Sequence, residues 1–169
     1  EVSTSTDIGR KINAKGNGYA WIGGKLHLGV VDGDIPITAI YTCASVHDSQ
    51  VAIPVINETT KRVDYLYDLC DKAYDSQPIT AFSKKSGHTP IIDVNPRNCK
   101  ETKIAIEGDK MLVKMGFNTP MSNHYNHRSS VERVNSYLKD SFGCKHIYVK
   151  GATKVASHLM FGVLALCIH

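Results

Sequence analysis

Two runs of strand-like residues separated by a tight turn constrain this chain more than any other feature. Lys25 to Val31 alternates Leu26, Leu28 and Val30 against His27, Gly29 and Val31. Ile35 to Ser45 is rich in β-branched residues, and Asp32-Gly33-Asp34 lies between them. An Asp-Gly turn between two such runs is a strong short-range hairpin cue. A third strand is expected from Val2 to Ile8, with Asn13 to Gly24 as loop.

The rest alternates helix with strand. Asp48 reads as the N-cap of a helix from about Gln50 to Asp64. Tyr65 to Asp71 reads as a short strand, Pro78 to Lys85 as a helix closed by Gly87, and Thr89 to Val94 as a strand. Residues 97–124 are weakly patterned and read as a loop or small insertion. Ser130 to Phe142 is the clearest helix, Lys145 to Val149 a short strand, and Ala152 onward an apolar helix. Strands interleaved with helices predict the α/β class, with a mixed sheet flanked by helices.

The 169 residues suit one domain, 1–169. The formal charge of +4 permits a polyanionic partner without demanding one. Cys43, Cys70, Cys99, Cys144 and Cys167 are scattered, with no C-x-x-C, which argues against a zinc cage and a secreted disulfide framework. A reducing cytoplasm fits, and no signal peptide opens the chain. Val155 to His169 is uncharged but short for a bilayer and reads as a buried core helix. The chain starts at Glu1 without Met and stops inside that apolar run, so it reads as part of a longer protein.

The chemistry concentrates on the clearest helix. At about 100° per residue, Arg128, Glu132, Asn135 and Lys139 share one stripe, and Val131, Val134, Leu138 and Phe142 form another about a quarter turn away. Glu132 is therefore expected at the edge of the buried face, where a carboxylate can hold a metal while cations hold a phosphate. Two structural readings stand beside this. Ser129-x-x-Glu132 matches a capping box, and Arg128 with Glu132 matches an i,i+4 ion pair. Between positions 128 and 154 six cations, Arg128, Arg133, Lys139, Lys145, Lys150 and Lys154, face only Glu132 and Asp140. That segment is a candidate DNA-backbone track or an ordinary solvated face. Tyr19 and Trp21 could stack on a base or simply pack. His27 and His47 fall near strand ends, and packing is the plainer reading for both.

The spacing Tyr125-(2)-Arg128-(3)-Glu132-(6)-Lys139 resembles the Tyr-Arg-Glu-Lys signature of insertion-sequence DDE transposases. Gly24 to Leu28, Ala44 to Gln50, Asp71 to Ser76, Glu132 to Asn135, Leu138 to Asp140 and His158 to Gly162 resemble the family's phrases in the family's order. The resemblance implies a ribonuclease-H-like catalytic domain of a mobile element, an endonuclease that cuts DNA at the element's ends and transfers the strands. It implies two Mg²⁺ or Mn²⁺ ions about 3.5–4 Å apart, held by two Asp and one Glu. Asp71 maps to the second acid and Glu132 to the third. Arg128 and Lys139 map to phosphate contacts, with Tyr125 ordering the site. Arg133, Lys145 and Lys150 extend the DNA track. The implied partners are double-stranded DNA, as terminal repeats and target, and a second copy in a full-length homodimer. No membrane is involved, and the implied place is the nucleoid in the cytoplasm. A separate DNA-recognition domain is expected outside this chain.

The first acid departs from the family pattern. The best alignment puts Thr4 in its position, with Asp7 three residues on, and an odd offset in a strand points to the opposite face. Either Asp7 completes the triad or the triad is broken. The second case describes a degenerate or domesticated domain that binds DNA without catalysis. Asp32 and Asp34 read as turn residues.

Overall fold

The computed structural model describes residues 7–12, 16–96, 99–117, 124 and 127–169. The chain divides into two compact units, one of residues 1–64 with 130–169 and one of residues 65–129.

In the first unit, strands β1 (Asp7–Ile12), β2 (Gly18–Val31) and β3 (Ile35–Cys43) form an antiparallel sheet in the order β1-β2-β3. The predicted hairpin is present. Its turn puts Gly33 at φ 82° and Asp34 at φ 61°, and an Asp is one of the few non-glycine residues that enters this region readily. β2 divides its pairing: Gly18 to Gly23 pairs with β1, and Gly24 to Val31 pairs with β3. The expected loop over Asn13 to Gly24 is therefore strand from Gly18 onward. Gly9 of β1 and Gly24 of β2 mark places where aromatic rings cross the sheet. A Cβ on Gly9 would run into the Trp21 indole, and one on Gly24 into the Tyr41 ring.

Helices cover both faces of this sheet. Helix α1 (Asp48–Thr60) buries Val51, Ala52, Ile56 and Thr59. It packs where Gly29 leaves room for Val55 and Thr59, and the Thr59 hydroxyl donates to Thr38 Oγ1 at 3.0 Å. The N-cap is His47, one residue before the expected Asp48. Its ring accepts from Ser49 N, and Gln50 answers with a bond from His47 N, a reciprocal cap. Asp48 instead pairs with Lys25 at 3.0 Å.

The opposite face carries Leu26, Leu28, Val30 and Ala39, which pack on a seam of Val134, Leu138 and Val163. Val134 and Leu138 belong to a helix over Ser129–Asp140, and Val163 to one over Ala152–Ile168. The expected apolar stripe is thus the buried one. The final helix buries only Leu159, Gly162 and Val163, so it is not the fully buried helix its composition suggested. Phe161, Leu164 and Ile168 lie exposed along it.

In the second unit, β4 (Tyr67–Cys70) and β5 (Thr89–Ile92) pair in parallel, joined through a 3₁₀ turn (Lys72–Tyr74) and α2 (Gln77–Lys85). A parallel pair needs such a crossover. Buried Asp68 holds it together: its Oδ2 accepts the Ser83 hydroxyl at 2.6 Å and lies 3.1 Å from His88 Nδ1. Residues 97–124 are not simply loop, because α3 (Lys100–Lys114) occupies part of them. No residue of α3 is buried. The two later helices are α4 (Ser129–Asp140) and α5 (Ala152–Ile168). Lys145 to Val149 is irregular chain, not the expected strand.

Antiparallel pairing in one sheet and parallel pairing in the other are the two senses that the expected mixed sheet combines, and helices flank the strands. The α/β class stands. Among the described residues no helix is long and apolar enough to cross a membrane.

Leu138 is 2% exposed and lies in the α4 seam. Leu138→Ala should destabilise the fold by about 2–5 kcal/mol in urea unfolding, the usual cost of emptying a close-packed site. Tyr137→Ala, exposed one position away, should cost well under about 1 kcal/mol in the same assay.

Candidate functional site

Asp71 stands directly after the last residue of β4. Its carboxylate Oδ1 accepts Lys72 N at 2.5 Å and so caps the 3₁₀ turn. This bond fixes the side chain at the carboxyl end of a parallel strand, the edge at which α/β sheets present their ligand-binding groups. Asp75 accepts Asn95 N at 2.9 Å, and Asn95 Nδ2 reaches Lys72 O at 3.5 Å. The segments following β4 and β5 are thereby clasped around Asp71. Beside Asp71, the Cys70 thiol is pushed up to about 12 by burial, then by the charges of Asp68 and Asp71. It stays a neutral thiol at physiological pH.

Glu132 lies in the first turn of α4 and is exposed. Val134 and Leu138 anchor the helix beneath it. Lys139 lies in the last turn, exposed, and Lys145 and Lys150 are exposed on the chain between α4 and α5. Arg128 immediately precedes α4 and is half-buried.

Arg133 has a specific protein partner that the sequence reading did not find. Its Nε and Nη2 donate to the two carboxylate oxygens of Asp34, each at 2.7 Å, and Nη2 also reaches Ser130 Oγ at 2.9 Å. The planar guanidinium matches a carboxylate in this two-bond geometry. The pair ties the β2–β3 turn to α4, and it holds the Asp34 carboxyl below the usual carboxylate range. Asp34 is therefore both a turn residue and an anchor. Nothing in the local sequence signals a partner 99 residues away.

Asp7 opens β1 opposite Gly23. It accepts a hydrogen bond from the Ser45 hydroxyl, and Ile8 N donates to its Oδ1 at 2.8 Å. The Ser45 bond, then the Ile8 bond, lower its pKa. Thr4 and Tyr125 lie outside the described residues. His27 packs with Nε2 2.9 Å from Thr42 Oγ1, and burial lowers its pKa. His47 caps α1. Both histidines therefore have local structural partners.

Asp71 belongs to one unit, and Asp7 and Glu132 to the other. Within the described residues no three His, Cys, Asp or Glu side chains gather as a ready metal cage. What each acid offers is oxygen, the donor type that Mg²⁺ and Mn²⁺ take and zinc sites use less.

Residues 2–168 match the family described as Transposase DDE domain. No curated protein and no solved structure matches the chain.

Two outcomes follow for the acids of the first unit. Ser45→Ala should raise the Asp7 pKa toward the ordinary carboxylate value in an NMR titration, and no rise would remove Ser45 as the cause. Asp34 has a folded pKa below its unfolded one. The Arg133 pair thus adds stability above the unfolded carboxylate range and loses it as pH falls through the lowered value. Arg133→Ala should erase that part of the acid-side loss in denaturation followed from pH 6 to about pH 2.

Proposed function

The chain belongs to the transposase DDE domain family, and from that premise we propose that it cuts DNA at the ends of its own mobile element and joins the freed strands to a target. The match over residues 2–168 carries this reading. Supporting it, Asp71 directly follows a parallel strand, Glu132 lies in the first turn of a helix anchored in the core, and a basic segment follows Glu132.

In this reading Asp71 and Glu132 hold divalent cations, Mg²⁺ or Mn²⁺, in the two-ion manner of phosphodiester chemistry. Bound ions of this kind supply an activated nucleophile and neutralise charge on the leaving oxygen. The chain's own contribution is orientation. The Lys72 N–H bond holds the Asp71 carboxylate in place, and that carboxylate would hold a cation. The first turn of α4 presents Glu132, and Val134 and Leu138 hold that helix on the sheet. Arg128 and Lys139 hold phosphates with Tyr125 beside them, and Lys145 and Lys150 continue the backbone track. Arg133 reaches DNA only at the cost of its bonds to Asp34, so its first task is to brace α4. The first acidic position falls to Asp7, which would have to share its carboxylate with Ser45 and Ile8 N. The full-length protein acts as a homodimer on paired ends, on DNA of the nucleoid in the cytoplasm.

The engagement of Asp7 favours one alternative: a derived domain that binds DNA without cutting it. The two readings separate in a nicking assay on supercoiled plasmid. Catalysis predicts Mg²⁺- or Mn²⁺-dependent nicks that EDTA abolishes. Asp71→Ala and Glu132→Ala should each lower the nicking rate by roughly 1,000-fold, the loss expected when several kcal/mol of charge stabilisation is removed. Salt-sensitive DNA binding with no nicking in either metal would establish the derived domain instead. In the same assay Asp7→Asn decides the first position. Loss comparable to Asp71→Ala places Asp7 among the catalytic acids, and full activity removes it.

A further inference from the structure

Helix α3 carries an apolar stripe that its own chain leaves bare. At about 100° per residue, Ile104, Gly108, Met111 and the capping residue Met115 fall on one side, with Ala105 and Leu112 adjoining them. Ile104, Met111, Leu112 and Met115 are each at least half exposed. Thr102 and Ile106, on the opposite side, are the only half-buried residues of the helix. The stripe therefore points away from the rest of its compact unit.

The end of the helix is closed by its own backbone. Gly116 takes φ 91°, its N–H donates to Val113 O at 3.0 Å, and Phe117 N donates to Leu112 O at 3.1 Å. That stop needs no neighbour, but a helix of 15 residues is marginal in water without a packed face. Gly108 weakens its middle further. Within the single chain this glycine has no steric reason, because a Cβ there would meet nothing within 4 Å.

We propose that α3 is a self-association helix, whose stripe packs antiparallel on the same stripe of a second copy. With the twofold axis passing between Asp109 and Lys110, Gly108 of one copy faces Met111 of the other, and Ile104 faces Met115. Each glycine then leaves room for the long, flexible side chain opposite, which gives Gly108 the steric role it lacks in one chain. Ala105 and Leu112 meet along one flank. Along the other, Glu107 of each copy comes opposite Lys114 of its partner, two symmetry-related contacts of opposite charge. Both side chains are exposed. Apolar layers and charges agree in one register, and that agreement selects a second copy as the occupant. A parallel pair would set Glu107 beside Leu112 and lose both charge contacts. DNA could use the lysines of this flank but would leave the apolar stripe uncovered. The inference rests on the surface of α3, not on the transposase reading, and it gives the homodimer of that reading a contact surface.

The test is sedimentation velocity of the whole chain over a dilution series reaching about 200 µM, where weak dimers are populated. The parent should pass from monomer to dimer with concentration, and Met111→Asp should weaken the dimer at least about 100-fold. Glu107→Lys and Lys114→Glu should each weaken it about 10-fold, because each sets like charges opposite one another in its own pair. An equimolar mixture of these two variants restores opposite charges and should recover the dimer. Asp109→Lys makes the same charge change as Glu107→Lys away from the seam and should stay within about 2-fold of the parent. All four positions are exposed, so monomer melting temperatures should stay within about 2 °C of the parent. A parent that stays monomeric would overturn the proposal. So would a dimer that Met111→Asp leaves intact, or charge variants that the mixture fails to rescue. A Met111→Asp variant that keeps its mass but loses duplex binding would assign the face to DNA and overturn it too. Metal-dependent nicking is scored on the same preparations. Association through α3 without nicking keeps this contact and sinks the catalytic reading, and nicking by a parent that stays monomeric does the reverse.

Discussion

The placement of Glu132 depends on the packing of α4 against the antiparallel sheet. Val134 and Leu138 are almost fully buried, and with Val163 they meet Leu26, Leu28, Val30 and Ala39. Two turns of helix are thereby fixed, and the residues on the adjoining stripe go where the helix puts them. The Asp34–Arg133 pair adds a second attachment at the turn of the hairpin. It is half-exposed and screened by water, so it sets orientation more than stability. Hydrophobic burial holds α4 on the sheet, and the ion pair restrains its rotation.

The second unit solves the same problem by polar means. Asp68, Ser83 and His88 form a buried hydrogen-bonded group between β4, α2 and the start of β5. A buried carboxylate is tolerated only with such partners. Directly beyond, Asp71 caps a short turn, and Asn95 and Asp75 close the neighbouring segments. Asp71 and Glu132 therefore sit at the end or start of a regular element, where backbone geometry aims them.

Much of this was legible in the sequence, and the failures have physical causes. The α4 helix was readable because its apolar residues recur at helical spacing and are the ones buried. The hairpin was readable because an Asp-Gly turn separates alternating runs. The strand over Gly18 to Gly23 is hidden because its glycines carry a loop signal, while the pairing with β1 that makes it a strand leaves no local trace. Helix α3 was missed because it buries nothing, so no core-facing stripe marked it. Its run of Lys, Glu, Ala, Met and Leu is a propensity signal that could have found it. Lys145 to Val149 has a strand-like composition but no pairing partner among the described residues. The resemblance named Asp71 and Glu132, but tertiary partners such as Ser45 for Asp7 and Asp34 for Arg133 leave no trace in local spacing.

The central claim proposed above is that Asp71 and Glu132 each hold divalent metal. Iron-mediated cleavage tests it directly: Fe²⁺ replaces Mg²⁺, ascorbate and peroxide generate hydroxyl radicals, and the chain breaks near the ion. The account predicts Mg²⁺-competable cuts near both Asp71 and Glu132 in one molecule. Cuts confined to one of the two, or cuts that Mg²⁺ does not suppress, would contradict it.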